Sequence, residues 1–239
     1  MRHVFVFATV AICASAACTK VESSSIKTAG MSALMSVSAD GTGKTIASVQ
    51  LLVDNNGTDH IDLSTGDSLS AKTGSQSQSM SRSNFLNIVS YNAEFQGQDN
   101  GGTEYTIALT RNADVSAPNS KVTLPAPFTI QTPTASATLS RATDDVVVTY
   151  GGGTSDKTSW QASGDCIKSL GPQELPGDPG TFTIAKGTFT PLDASKATAT
   201  CLVSIGISRT RVGQVDPAFG HGGTITAAQS RSITISSKP

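Results

Sequence analysis

The sequence predicts an all-β protein in which two tandem antiparallel β-sandwich domains follow a cleaved signal peptide and a short tether. Apolar residues recur at every second position in several runs, among them Met35 and Val37, Ala47 to Val53, and Cys201 to Ile207; this is the period of a strand with one buried face. Glycine (22) and proline (10) punctuate the 239 residues at short intervals, and no ten-residue window carries a helical apolar stripe. Charged residues are 15% of the chain against about 25% in typical domains, while Ser and Thr together reach roughly a quarter, the composition of a β-rich exported protein.

The first element is a leader over residues 1–17. Arg2 supplies a positive n-region and residues 4–13 an apolar h-region. That apolar run falls well short of the ~20 residues a membrane-spanning helix needs, and no later segment approaches that length. Two cleavages are open. Ser15-Ala16-Ala17-Cys18 resembles a bacterial lipobox, with Ser15 where most such boxes carry Leu, Val or Ile. Cys18 would then be acylated and hold the protein on membrane lipid, each buried CH₂ adding ~0.8 kcal/mol. Alternatively Ala14-Ser15-Ala16 is an A-x-A site, and the product is secreted beginning Ala17-Cys18. Thr19 after Cys18 resembles the sorting signal of outer-membrane rather than inner-membrane lipoproteins. Cys13 leaves with the leader and Cys18 is the lipidation site, so Cys166 and Cys201 are left to pair with each other in an oxidising compartment.

Residues 18–30 are polar and without period, which predicts a flexible tether after the lipidated N-terminus. The first sandwich is expected over 31–126. Met35 and Val37, then Ala47, Val49, Leu51 and Val53, make a hairpin arm ending at Asn55-Asn56-Gly57, and short strands follow near His60 to Leu63 and Ser68 to Ala71. The Ser/Gln-rich stretch 72–83 is expected to be a mobile loop. Phe85, Val89, Tyr91, Ala93 and Phe95 share one face of a strand, and Tyr105, Ile107 and Leu109 repeat the alternation after Asp99-Asn100-Gly101-Gly102, so the two are expected to form a hairpin. Ala117-Pro118 and Pro125-Ala126-Pro127 bracket a last strand at Val122 to Leu124.

The second sandwich is expected over 127–239. It opens with Phe128-Thr129-Ile130, passes Thr138 to Ser140, and reaches Val146-Val147-Val148, an apolar run suited to a strand buried on both faces. Trp160 is expected in its core, Phe182 to Ile184 in a short strand, and Ala197 to Ser208 in the longest one. Thr224 to Ile235 closes the chain.

The run from Pro127-Phe128-Thr129-Ile130 to Val146-Val147-Val148-Thr149-Tyr150 resembles the start of immunoglobulin-like sandwiches of exported microbial proteins. The segment Arg209-Thr210-Arg211-Val212-Gly213-Gln214-Val215-Asp216-Pro217-Ala218-Phe219-Gly220, with Gly222-Gly223 and Arg231, is similar to the end of exported bacterial lipoproteins of myxobacterial type. That resemblance implies a cell-envelope address and no activity. Antibody-type domains have the order Cys, Trp, Cys, whereas Trp160 here precedes both Cys166 and Cys201, so the disulfide is expected to join other strands.

Motifs for catalysis or cofactors are incomplete. Gly41-Thr42-Gly43-Lys44-Thr45 ends like a phosphate-binding loop, but Ser38 stands where that loop needs glycine and a strand follows, so a hairpin turn is expected. Asp54, Asn56, Thr58, Asp59 and Asp62 offer hard oxygens, yet Asp59 takes the glycine place of a calcium loop. His60 and His221 lie far apart in sequence, no Cys or His stands at metal-ligand spacing from either, and no G-x-S-x-G elbow is present. Arg209 and Arg211 continue the phase of Ile207, so they are expected either to pair with Asp216 or to face a partner. With a net charge of −1 no field draws the chain to nucleic acid. The expectation is a membrane-anchored lipoprotein that needs no cofactor and acts as a non-catalytic binding or envelope-structural module, with an envelope protein or a glycan as partner. A secreted adhesin-like or glycan-binding protein is the alternative, and an envelope hydrolase the distant one.

Overall fold

Period-two alternation becomes strand throughout a computed structural model that describes residues 20–55, 58–74, 76–86 and 88–239. The strands are β1 (Lys20–Glu22), β2 (Ser32–Ala39), β3 (Lys44–Leu52), β4 (His60–Asp62), β5 (Ser68–Lys72), β6 (Ser77–Ser79), β7 (Ser81–Phe85), β8 (Ile88–Gln96) and β9 (Glu104–Thr110). They continue with β10 (Ala117–Thr123), β11 (Ile130–Thr132), β12 (Thr138–Ser140), β13 (Val146–Tyr150), β14 (Lys157–Gly164), β15 (Leu170–Leu175), β16 (Thr181–Ile184), β17 (Cys201–Val212) and β18 (Gly223–Lys238). Among the described residues the only helical pieces are 3₁₀ turns at Ser23–Ser25, Thr28–Gly30 and Ala194–Lys196. No described helix is long and apolar enough to cross a membrane. The leader and Cys18 lie outside the described residues.

One eleven-stranded sheet runs through the molecule in the order β1-β4-β3-β2-β18-β17-β14-β15, with β7, β8 and β12 attached at its sides. A four-stranded sheet, β10-β9-β5-β6, and a three-stranded sheet, β11-β13-β16, accompany it. The first core joins Met35, Val37, Val49 and Phe95 of the large sheet to Leu69, Ile107 and Leu109 of the four-stranded one. The second joins Val203, Ile205 and Ile235 to Val146, Val148 and Ile184 of the three-stranded sheet. The protein is therefore an all-β sandwich structure with two apolar cores.

Strand β18 contributes to both cores. Ile225 and Ala227 enter the first and Ile233 and Ile235 the second, all on one alternate face of the strand. Its first half lies parallel to β2, with Ile225 opposite Met35 and Ala227 opposite Val37, while β17 pairs antiparallel along almost its whole length. Residues after 127 thus do not all serve the second core, since Phe219 also packs in the first.

Four local expectations need correction. The tether is folded from Lys20 on: β1 pairs with β4, and Ser23 and Thr28 are buried. Polarity misled there because the segment is held mainly by hydrogen bonds, with Ile26 its one side chain packed on the first core. Stretch 72–83 contains β6 and most of β7. Strands β8 and β9 do not form a hairpin: β8 pairs with β3 and β7, β9 with β5 and β10. They face each other across the first core, where Phe95 and Tyr105 meet edge-on at 5.3 Å between ring centroids. Glycines at 97 and 102, with φ of 65° and 83°, let the connection cross between sheets. Finally, β13 is buried on one face only, because its sheet has solvent on the other, and Val147 is exposed.

Candidate binding surface

Of the two arginines expected to pair with Asp216 or face a partner, Arg209 is buried and Arg211 stays partly exposed, its side chain 39% accessible. Arg209 is 2% exposed and its guanidinium lies 2.9 Å from the Asp178 carboxylate. It donates to the carbonyls of Ala126, Pro127 and Gly151 and sits 4.7 Å above the Phe128 ring. Burial alone pushes the Asp178 carboxyl up, but Arg209 and two donors from Thr154 outweigh it and hold the group below the usual carboxylate value. Arg211 forms a two-pronged bond to Asp156 at 2.8 and 3.1 Å. Asp216 pairs with neither: its carboxylate accepts from the backbone N–H of Asn119 and Ala218. Arg209 continues the phase of Ile207 but does not leave the core as expected, because its partner Asp178 comes from a loop more than thirty positions upstream.

Cys166 and Cys201 are joined, with Cα atoms 5.9 Å apart. The bond ties the turn after β14 to the first residue of β17. Beside it Arg141, buried and unforeseen, donates to the carbonyls of Lys196, Ala197 and Ala199. Trp160 is half-buried at the edge of the second core, stacked on Phe182 at 5.6 Å.

The motifs weighed for chemistry resolve into turns and ion pairs. Gly41-Thr42-Gly43 is the turn between β2 and β3, closed by Asp40, whose carboxylate accepts from Thr42 N and Oγ1. Asp62 accepts from Arg82 at 2.6 and 2.8 Å and from the Tyr91 hydroxyl at 3.0 Å, and pairs with Lys20 at 2.6 Å. The Arg82 guanidinium, aided by Lys20 and Tyr91, holds that carboxyl far below the usual range. His60 is buried on β4, whereas His221 is exposed before β18. Among the described residues no group of three or more His, Cys, Asp or Glu is placed to hold a metal ion.

What the sheet does present is a hydroxyl-lined groove of about 450 Å³ on the outer face, away from the second core. Its walls follow from strand register. Ser159, Ser208 and Ser230 stand in one cross-strand row, and Gln161, Gly206 and Ser232 in the next. Ser230 Oγ donates to Ser208 Oγ at 3.1 Å. Gly206, lacking a side chain between Gln161 and Ser232, deepens the floor. Asp40 and Arg231 stand at one side, the first engaged by Thr42 and the second by the carbonyls of Ala39 and Ser230. Ser208 and Ser232 alternate with the apolar neighbours Ile207 and Ile233 in the sequence, but their alignment with Ser159 and Gln161 is not written there.

No family model matches the chain, and no curated protein matches it. Among solved structures it is similar to the chicken CNTN1 FN1-FN3 domains, with TM-score 0.29 and 10% identity over 86% of this chain and 64% of that one. Titin-A168169 gives 0.26 and 10% over 86% and 96%. A Bacteroides ovatus SGBP-B in complex with a mixed-linkage heptasaccharide gives 0.21 and 8% over 87% and 60%. The chain thus spans less than two thirds of the first and third of these, and likeness of this degree assigns neither family nor function.

Proposed function

We propose that this protein is a non-catalytic binding module of the bacterial cell envelope, held on membrane lipid through acylated Cys18, whose outer sheet face takes a neutral glycan. The observation that carries the binding reading is the groove. Serine, threonine and glutamine line it beside Trp160, Pro172 and Ile207; hydroxyls and amides that both donate and accept, next to apolar surface, match the hydroxyls and C–H faces of an uncharged sugar chain. Of the charged residues lining it, Asp40 and Arg231 are one of each sign, so the groove carries no net charge to select an ionic ligand.

The anchoring half rests on Arg2, the apolar leader and Ser15-Ala16-Ala17-Cys18. Asp62, Asp67 and Asp178 are each held below their usual pKa by bound donors, so none of these three is tuned as a general acid.

Gly206→Leu tests the groove. A Cβ at 206 would meet Gln161 Cγ at 3.4 Å, its Nε2 at 3.7 Å and Arg231 O at 4.0 Å, all ordinary contacts, so the fold should tolerate the change while the side chain fills the floor. Titration calorimetry with neutral hexasaccharides such as cellohexaose and maltohexaose should show binding weakened at least about tenfold, the ~1.4 kcal/mol of a few lost polar contacts. Binding by neither protein, or equal binding by both, would remove the groove as the site. For the anchor, Cys18→Ala should move the protein from the membrane fraction to the soluble one. An N-terminus at Ala17 with no acyl mass would refute the lipoprotein reading.

A further inference from the structure

The hairpin joining β7 to β8 exposes Phe85 (72%), Leu86 (78%) and Ile88 (39%) to solvent. Phe85 and Ile88 are opposite each other in register, so their side chains share a face, and Leu86 occupies the turn with φ of 50°. Neither apolar core includes any of the three. Scattered exposed apolar residues are ordinary, but three large ones within four positions at a projecting tip mark a contact surface.

Strand direction places this tip at one end of the large sheet. β8 runs antiparallel to β3, with Val49 opposite Tyr91, so its first residues point toward the end where β3 finishes. At that end Leu52 of β3 pairs with His60, the first residue of β4, and His60 with Lys20, the first residue of β1. A single carboxylate ties the elements together, since Asp62 holds Lys20 from β1 and Arg82 from β7, each at 2.6 Å. Lys20 is therefore the end of β1 nearer the tip. Cys18 precedes it by two residues, a span of at most about 7 Å.

We propose that Phe85, Leu86 and Ile88 insert into the interfacial zone of the bilayer that carries the acyl chains of Cys18. The tip is then a second attachment point, and two points fix the tilt of the large sheet against the membrane where an acylated terminus alone leaves it free. The inference rests on the acylation proposed above. The acyl chains retain the protein, while the tip orients it.

The experiment uses the full lipidated chain in phosphatidylethanolamine/phosphatidylglycerol vesicles, with and without brominated acyl chains. Phe85→Trp adds an indole to the tip with little change of shape, Trp160 of the unsubstituted protein serving as background. Blue-shifted emission and quenching by brominated lipid, beyond that of the unsubstituted protein, are expected. An added indole that is quenched by aqueous acrylamide and not by brominated lipid overturns the proposal, and would be the outcome if the tip instead meets a protein partner. The mass of the N-terminus is read on the same sample. An acyl mass with an unquenched indole sinks the tip alone. If the acyl mass is absent, the anchoring reading falls, and the tip is judged on the same vesicles by partition, which Phe85→Ser/Leu86→Ser should lower at least about tenfold; equal partition would then overturn the tip as well.

Discussion

Three buried arginines, Arg111, Arg141 and Arg209, hold what apolar contact does not. A guanidinium has five donors in a rigid fork, enough to satisfy several carbonyls of irregular backbone at once. Arg141 does this for the loop before the disulfide, and Arg209 for the chain that passes between the cores. Tyr91 plays the same part with one hydroxyl, accepting from Leu63 N at 2.7 Å and donating to Asp62. Burial pushes its phenol up to about 12, and burial with the nearby Asp178 does the same to Tyr150. Unfolded tyrosine ionises near pH 10. Between pH 10 and 12 the unfolded chain therefore releases protons that the folded one retains, so stability is complete below about pH 10 and falls as pH rises. Tyr91→Phe should cost about 1–2 kcal/mol at pH 7 and make the alkaline fall shallower. Urea melts at pH 8 and pH 11 measure both; an unchanged alkaline slope would contradict the assignment.

Among the elements, β1 with the two turns that follow depends most on a polar lock. Arg111 lies 2.8 Å from the Asp67 carboxylate and donates to Ser23 O at 2.7 Å and Ile26 O at 3.1 Å. Thr28 is held from the same side by Asp114 and Val115 O. Arg111→Ala would leave the Asp67 carboxylate buried without its counter-ion, with only the Ser23 hydroxyl and Asn112 N–H as donors, a loss of about 3 kcal/mol. Its local signature is faster amide hydrogen exchange over 23–31, with β13 and β16 unaffected at first. Protection that fell equally everywhere would show that the segment does not open by itself. The hairpin expectation at β8 and β9 belongs to this scale too. Alternation of Val89, Tyr91, Ala93 and Phe95 says which face is buried, and that face is the same whether the next strand lies beside it or across the core.

For the whole molecule, the shared strand β18 decides how it folds. Arg209 and Gln229 are opposite each other where the strand passes from one core to the other. Arg209 binds the carbonyl of Ala126, and Gln229 donates to that of Asp99 at 2.7 Å, so the central β17–β18 pair is bonded to both halves of the chain. A fragment ending at residue 126 lacks Phe219, Ile225 and Ala227 of the first core and exposes the edge of β2 that β18 covers. It should fail to fold alone. The full protein should unfold in one transition, followed identically by circular dichroism and by Trp160 fluorescence. Two separated transitions, or a folded fragment, would show the cores to be independent.

The all-β class, most strand positions and the Cys166–Cys201 pair were readable from the chain alone, because the two-residue period reports burial of a face and because only two cysteines were left to pair. The address proposed above rests on residues 2–18 of the linear chain alone. Tertiary structure decided the rest: which strand borders which, the crossing of β8 and β9 into different sheets, the return of β18 to the first core, and the partners of Arg111, Arg141 and Arg209. Backbone N–H and C=O groups are the same at every position, so a strand's sequence names its faces but not its neighbours. Those neighbours, and the loop carbonyls that gather around a buried guanidinium, come from contacts between residues as much as 192 positions apart, as Arg231 and Ala39 are, which no local pattern records.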